Sequence, residues 1–329
     1  MAPKKKTKET LKPSPPVKRA AALASVLNEN KNEATACLAS NVMKEWRYID
    51  FIDPHTRLPC LALEWLYGAR GLLAGRILQL RAVYSKGKTS FMYLMYAAAQ
   101  LLSDAYCYHV ETEGTAAPPD FVEGFGCDPE NLVIDEISSL EECLAKLDEI
   151  IARIRGGFQG GINPETGRKA KTKFTDPLDP NMEAPIVAGI DSLSALGLMN
   201  LVGEDIADMS ASPSLAAHAR KLRDYLRRRS VRFKNTQTLL MLTSHETSHI
   251  QAGPAAFGGG GKKKSALAQE AIGIHATYIA DMSTAKYIDK SSGARLGDVV
   301  TMSTDKNKLS PKNRQVNLYL VWNHGFDLI

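Results

Sequence analysis

The sequence predicts an α/β fold built on a mainly parallel central sheet with helices on both faces. Three observations predict it. Residues 76–80 and 105–110 are strand candidates, and the short apolar runs at 186–190 and 238–243 have the length and continuity of strands buried on both faces. Helical patterns at 88–102 and 139–155 lie between successive runs, so strand and helix alternate. The tripeptide Gly87-Lys88-Thr89 stands where the first run gives way to the first of these helices.

The length of 329 residues allows one large α/β domain with a small appendage, or two modest domains. A hydrophobic fraction of 44% with 23% charged residues is that of a soluble globular chain with a sizeable core. No stretch approaches 18 uninterrupted apolar residues, which argues against a transmembrane helix, and the polar, basic start argues against a secretory signal. Cys37, Cys60, Cys107, Cys127 and Cys143 are scattered and form no CxxC pair. Neither a disulfide framework nor a zinc site is therefore expected, and a reducing, cytoplasmic location is. The net charge of +5 permits a polyanionic partner without requiring one, so the placement of charge matters more than its sum.

Residues 1–19 combine Lys, Pro and Ser with almost no apolar content and read as a disordered basic tail. Such a tail serves solubility, targeting or the gathering of nucleic acid. Residues 20–60 form an N-terminal segment and linker that opens with a short helical pattern at 20–27, and the core follows over 61–329. Two segments interrupt the core. Residues 156–183, rich in Gly, Pro, Lys and Asp, read as a long surface insertion. Residues 246–270 hold four glycines, Gly258 to Gly261, followed by Lys262, Lys263 and Lys264, a flexible and strongly basic loop.

The stretch Ala82-Val83-Tyr84-Ser85-Lys86-Gly87-Lys88-Thr89 nearly fits the phosphate-loop pattern GxxxxGK[ST], with Ala82 in place of the first glycine. The spacing suits the chemistry. Backbone N–H groups of Ser85, Lys86 and Gly87 and of the helix start at Lys88, Thr89 and Ser90 would surround a β-phosphate. Lys88 would reach the β/γ oxygens and the Thr89 hydroxyl would ligate Mg²⁺, so ATP and Mg²⁺ are the expected cofactors. The run at 105–110 leads into Glu111-Thr112-Glu113-Gly114-Thr115, and a carboxylate at such a strand tip can orient and deprotonate an attacking water. Glu113 is the better candidate and Glu111 the runner-up. The run at 186–190 closes on Asp191, which suits a Mg²⁺-organising carboxylate; a helix cap is the other reading.

Further stretches carry a family likeness. Gly68-Ala69-Arg70-Gly71-Leu72-Leu73-Ala74-Gly75-Arg76-Ile77 precedes the phosphate loop, Gly126-Cys127-Asp128-Pro129-Glu130-Asn131-Leu132 follows the acidic strand end, and Gln237-Thr238-Leu239-Leu240-Met241-Leu242-Thr243-Ser244-His245-Glu246-Thr247 comes later. In this order, and over about residues 50–329, they resemble RecA-family recombinases, especially the phage UvsX-like branch.

The resemblance implies a RecA-like P-loop ATPase core in which Glu113 is the catalytic base and Asp191 the Walker B acid. It implies that His245 senses the γ-phosphate and passes the signal to a DNA loop, and that Phe121 stacks on adenine. Lys306 and Lys308 match the lysine pair that reaches the ATP of the neighbouring subunit, and part of 20–60 becomes an oligomerisation segment. Residues of about 200–213 and 246–270 become the two DNA loops, with Phe257, Gly258 and Gly259 beside the bases and Lys262, Lys263 and Lys264 on phosphates. Arg220, Arg223, Arg227, Arg228 and Arg229 lie on one helix, where some would face DNA or a neighbouring subunit and others form a charged helix face.

The function so implied is ATP-dependent DNA strand exchange by a filament of this chain on single-stranded DNA, pairing with homologous duplex DNA. Single-strand-binding and mediator proteins are further partners. A RecA-like regulatory paralogue and a ring-forming ATPase of the helicase or KaiC type are the alternatives. Three departures stand out: Ala82 in the loop, the insertion at 156–183, and an end soon after the apolar run at 316–321, which implies that the extra C-terminal domain of bacterial RecA is missing.

Overall fold

In the computed structural model the chain divides into two units, Met1–Trp46 and Arg47–Ile329. The structure describes residues 47–114, 116–159, 172–174, 176–198, 215–249, 263–266, 269–322 and 324–328, all in the second unit. The basic tail, the greater part of the 20–60 segment, the 200–213 loop, Phe257, Gly258, Gly259 and Lys262 lie outside the described residues.

Strand β1 (Tyr48–Asp50) pairs antiparallel with β2 (Gly71–Leu73), and helix α1 (Leu61–Tyr67) lies between them in sequence. The chain then alternates as the apolar runs predict: β3 (Ile77–Ala82), α2 (Lys88–Ser103), β4 (Tyr106–Glu111), α3 (Pro119–Gly124), β5 (Leu132–Glu136) and α4 (Leu140–Arg155). Within the insertion, β6 (Gly157–Gln159) and β7 (Thr172–Phe174) pair antiparallel. After β8 (Ile186–Asp191) come α5 (Leu215–Asn235), β9 (Thr238–His249), β10 (Lys263–Ala266), α6 (Gln269–His275), β11 (Tyr278–Ile288), β12 (Arg295–Asn307), β13 (Gln315–Val321) and β14 (Gly325–Asp327).

Among the described residues, one sheet runs in the order β14-β13-β12-β11-β3-β9-β8-β4-β5, with β10 paired to β9 off this path. From β11 to β5 every neighbouring pair is parallel; β11 to β14 form an antiparallel meander. The central parallel strands lie between two helical layers, each with its own apolar cluster. Leu78, Leu80 and Ala82 of β3 pack on α1, α2 and α3, while Ile77 and the β8 residues Ile186, Ala188 and Ile190 pack on α4, α5 and α6. Helix α2 is apolar all round and is buried continuously from Phe91 to Ala99, as a helix without a polar face must be. Among the described residues no helix is long and apolar enough to cross a membrane.

Two buried charges tie the second helical layer together. Asp148 of α4 takes Arg229 and Arg232 of α5 in ion pairs of 2.7 and 3.4 Å, so part of the arginine run holds helix to helix. Arg155, at the end of α4, is ion-paired with buried Asp179 at the far end of the insertion, which anchors that segment to the core.

The edges of two expected segments look different in the structure. The run expected at 238–243 continues as β9 to His249, and Lys263–Ala266 returns beside it in register with 246–249. Both arms of the basic segment are thus a β-hairpin. The meander from β11 to β14 extends the sheet well beyond the one strand expected at 316–321.

Candidate active site

A parallel sheet brings the C-terminal ends of its strands to one edge, and here that edge collects the chemistry. The register places Ala82 beside His245, and Glu111 beside Asp191. Residues from β3, β4, β8 and β9, far apart in sequence, therefore meet.

The loop from Val83 to Gly87 joins β3 to α2. Ser85 and Gly87 both have positive φ, 52° and 80°, and Gly87 takes the position without the strain a side chain would bring. The first helical bond of α2 runs from the Phe91 N–H to the Gly87 carbonyl, so the amides of Lys88, Thr89 and Ser90 stand ahead of it at the positive end of a 16-residue helix. Lys86 leaves the loop sideways, donating to the Thr284 hydroxyl of β11 at 3.0 Å.

Lys88 is only 5% exposed. Its ammonium donates to the carbonyls of Val83 (3.0 Å) and Ala82 (3.5 Å) and lies 3.3 Å from Nδ1 of His245. Burial pulls Lys88 below the ordinary lysine value, against the pull of Asp191, Glu113 and Glu246. The Thr89 hydroxyl donates to Oδ2 of Asp191, and Thr243 of β9 donates to Oδ1 of the same carboxylate.

The two strand-end glutamates differ in setting. Glu111 is buried; its Oε1 accepts the backbone N–H of Glu113 at 2.8 Å, and His109 approaches Oε2 at 3.8 Å. Glu113 is open to solvent on one side, and its Oε1 accepts from the Ser192 hydroxyl and lies 2.8 Å from Nε2 of His245. For Glu113 burial opposes the charged form, but the hydrogen bonds of His245 and Ser192 outweigh it and hold the carboxyl below the usual glutamate value.

The partners of His245 fix its tautomer. An ammonium only donates and a carboxylate only accepts, so Nδ1 accepts from Lys88 and Nε2–H donates to Glu113. The His245 backbone N–H donates to the Ser194 hydroxyl at 2.9 Å, and the Tyr84 ring lies over the imidazole at 4.4 Å between centroids.

Compared with known proteins, the chain matches no protein-family model and no curated sequence. Its own residues have to carry the reading.

The remaining expected site residues fall in three places. Phe121 on α3 packs one edge on Tyr93 and Phe125 and leaves the ring 46% exposed. Lys306 and Lys308 donate to the carbonyls of Gly273 and Ile274 at the end of α6. The Lys308 N–H bonds the Thr277 carbonyl and Thr277 in turn bonds Ile77, so Lys308 sits level with the start of β3. That is roughly 16 Å along the strand from Ala82, too far to serve this chain's own loop. Arg220 is exposed on α5, and Lys263 and Lys264 lie on β10.

Among the described residues no group of three or more His, Cys, Asp or Glu could hold a metal. The adjoining Thr89 hydroxyl and Asp191 carboxylate fit Mg²⁺, which keeps water and substrate phosphate as most of its ligands. Ser192, Ser194, Thr243 and Tyr84 escaped the sequence reading. The period of two on β9, which puts Thr243 and His245 on one face, was a signal for Thr243.

Proposed function

We propose that this chain is an ATP-hydrolysing DNA strand-exchange recombinase of the RecA type, active as a polymer on single-stranded DNA. One observation carries the reading. The chain of contacts from Lys88 through His245 to Glu113 joins the phosphate loop to a candidate base, and His245 lies on the strand that runs on into the basic hairpin.

In this reading the loop amides and Lys88 bind the β- and γ-phosphates of ATP, and entry of the phosphates draws Lys88 away from the loop carbonyls it now touches. Thr89 and Asp191 would hold Mg²⁺, which would neutralise phosphate charge. Glu113 orients the attacking water and takes its proton, with Ser192 keeping the carboxylate in place. His245 loses its Lys88 contact when nucleotide binds, and that change passes along β9 toward the hairpin whose Lys263 and Lys264 would meet DNA phosphates.

Charge placement supports self-association. Residues 89–145 contain no Lys or Arg, and Asp120, Glu123, Glu130 and Glu136 are exposed within that stretch, as are Phe121 and Val133. On α5, Arg220, Arg223, Arg227 and Lys234 share one exposed stripe. The stripe ends at a cleft of about 390 Å³ lined by Val231, Ile274, Lys308 and Leu309. A stretch without cations and a basic stripe on one molecule suit a head-to-tail contact, which repeats without closing. Such a contact also gives Lys306 and Lys308 a phosphate to meet, on the neighbour rather than at home.

The test is electron microscopy of the chain on single-stranded DNA with a slowly hydrolysed ATP analogue. Continuous filaments are expected. Closed rings would favour a helicase-like ATPase, and isolated monomers a regulatory relative.

A further inference from the structure

We propose that Tyr84 is a positioning residue for ATP hydrolysis, acting through His245; the inference rests on the ATPase reading above. Tyr84 sits in the loop two residues after the end of β3, 70% exposed, with its ring 4.4 Å from the His245 ring at an interplanar angle of 32°. A large aromatic side chain so open to water has little to hold it except this stack.

The need for such a contact follows from how His245 is held. Its backbone is fixed by β9 and by the bond to Ser194, but the imidazole still turns about two side-chain torsions. Two hydrogen bonds and the Tyr84 ring define its orientation. When Lys88 leaves Nδ1 for a phosphate oxygen, one hydrogen bond goes. The ring then keeps its aim at Glu113 through the Nε2–H bond and the stack alone. Tyr84 matters most in the nucleotide-bound state, which predicts an effect on kcat rather than on binding. The Tyr84 hydroxyl is not needed for stacking, so phenylalanine should serve as well.

The experiment compares Tyr84→Ala and Tyr84→Phe in the full chain. Turnover, binding of a fluorescent ATP analogue, and the His245 ring resonances are each read, the last assigned with His245→Gln. For Tyr84→Ala we expect kcat down about tenfold, the most that one aromatic pair usually contributes, with KM and analogue affinity within about twofold of wild type. The His245 ring signals should move downfield as the ring current of Tyr84 is lost, and Tyr84→Phe should restore both kcat and shift. A rise in KM with kcat unchanged would make Tyr84 a nucleotide contact and overturn the proposal. Unmoved His245 signals would overturn it as well. A wild-type chain without turnover would sink the ATPase reading itself, an outcome distinct from an active wild type that is indifferent to Tyr84.

Discussion

Nε2 of His245 lies 2.8 Å from Oε1 of Glu113, so the proposed base is held by the strand that leads to the basic hairpin. Ser192 holds the same oxygen from β8, directly after Asp191. The glutamate is therefore held from the end of β8, which carries Asp191, and from β9, which carries Thr243 and His245.

Glu113→Gln should lower ATP turnover at least about hundredfold while nucleotide binding and filaments persist. Glu113 is held below the usual glutamate value, so it stays ionised from neutral pH down past that value. Turnover should fall only as pH drops through this lowered value. An acid limb above the ordinary glutamate range would point to a different base. Loss of nucleotide binding in the variant would also reject the assignment.

Asp179 provides a stability test away from the site. Burial works against its charge, but the N–H groups of Ala184 and Glu183 and the Arg155 guanidinium outweigh it and hold the carboxyl below 3.8. A folded-state value below the unfolded one contributes stability that is fully present above the unfolded value and fades as pH falls through the folded one. Asp179→Asn should cost about 3 kcal/mol in denaturant unfolding at neutral pH, since it leaves Arg155 buried without its partner. The gap to wild type should narrow in acid. A constant gap would mean the loss is one of shape alone.

Lys306 and Lys308 can be tested by mixing. A Lys306→Ala/Lys308→Ala chain and a Glu113→Gln chain should each be inactive. A mixture of equal parts should regain about a quarter of wild-type turnover, because one interface in four pairs intact lysines with an intact glutamate. No recovery, with both variants still forming filaments, would place the lysines outside the reaction.

Raising salt should weaken DNA binding steeply if Lys262, Lys263 and Lys264 meet phosphates, and replacing them by Ala should flatten that dependence. An unchanged slope in the variant would remove the hairpin from the DNA surface.

Parts of this molecule that bury apolar surface locally are legible in the sequence. Strand β8 and helix α2 are nearly continuous apolar runs, β3 shows through its apolar residues Ile77, Leu78 and Leu80, and α4 shows its start through the Ser139 cap, which accepts from the Glu142 N–H. The outer half of β9 is polar, from Ser244 to His249, and reads as loop because its pairing comes from a strand 14 to 20 residues further along the chain. The β11–β12 pair is likewise half polar, with Ser283, Thr301 and Ser303 among its residues, so neither periodicity nor hydropathy marks it. At the site, Lys88, Thr89, Glu113 and Asp191 show as strand-end and helix-start residues. Ser192, Ser194 and Tyr84 act through contacts between strands and loops distant in sequence, which spacing along one chain does not encode.

The measurement that bears most directly on the central claim is the rate of ATP hydrolysis by the full chain as single-stranded DNA is added. The account predicts a low basal rate that rises severalfold and saturates with DNA, and that is abolished in Glu113→Gln. A rate that is zero throughout, or one that ignores DNA, would contradict it.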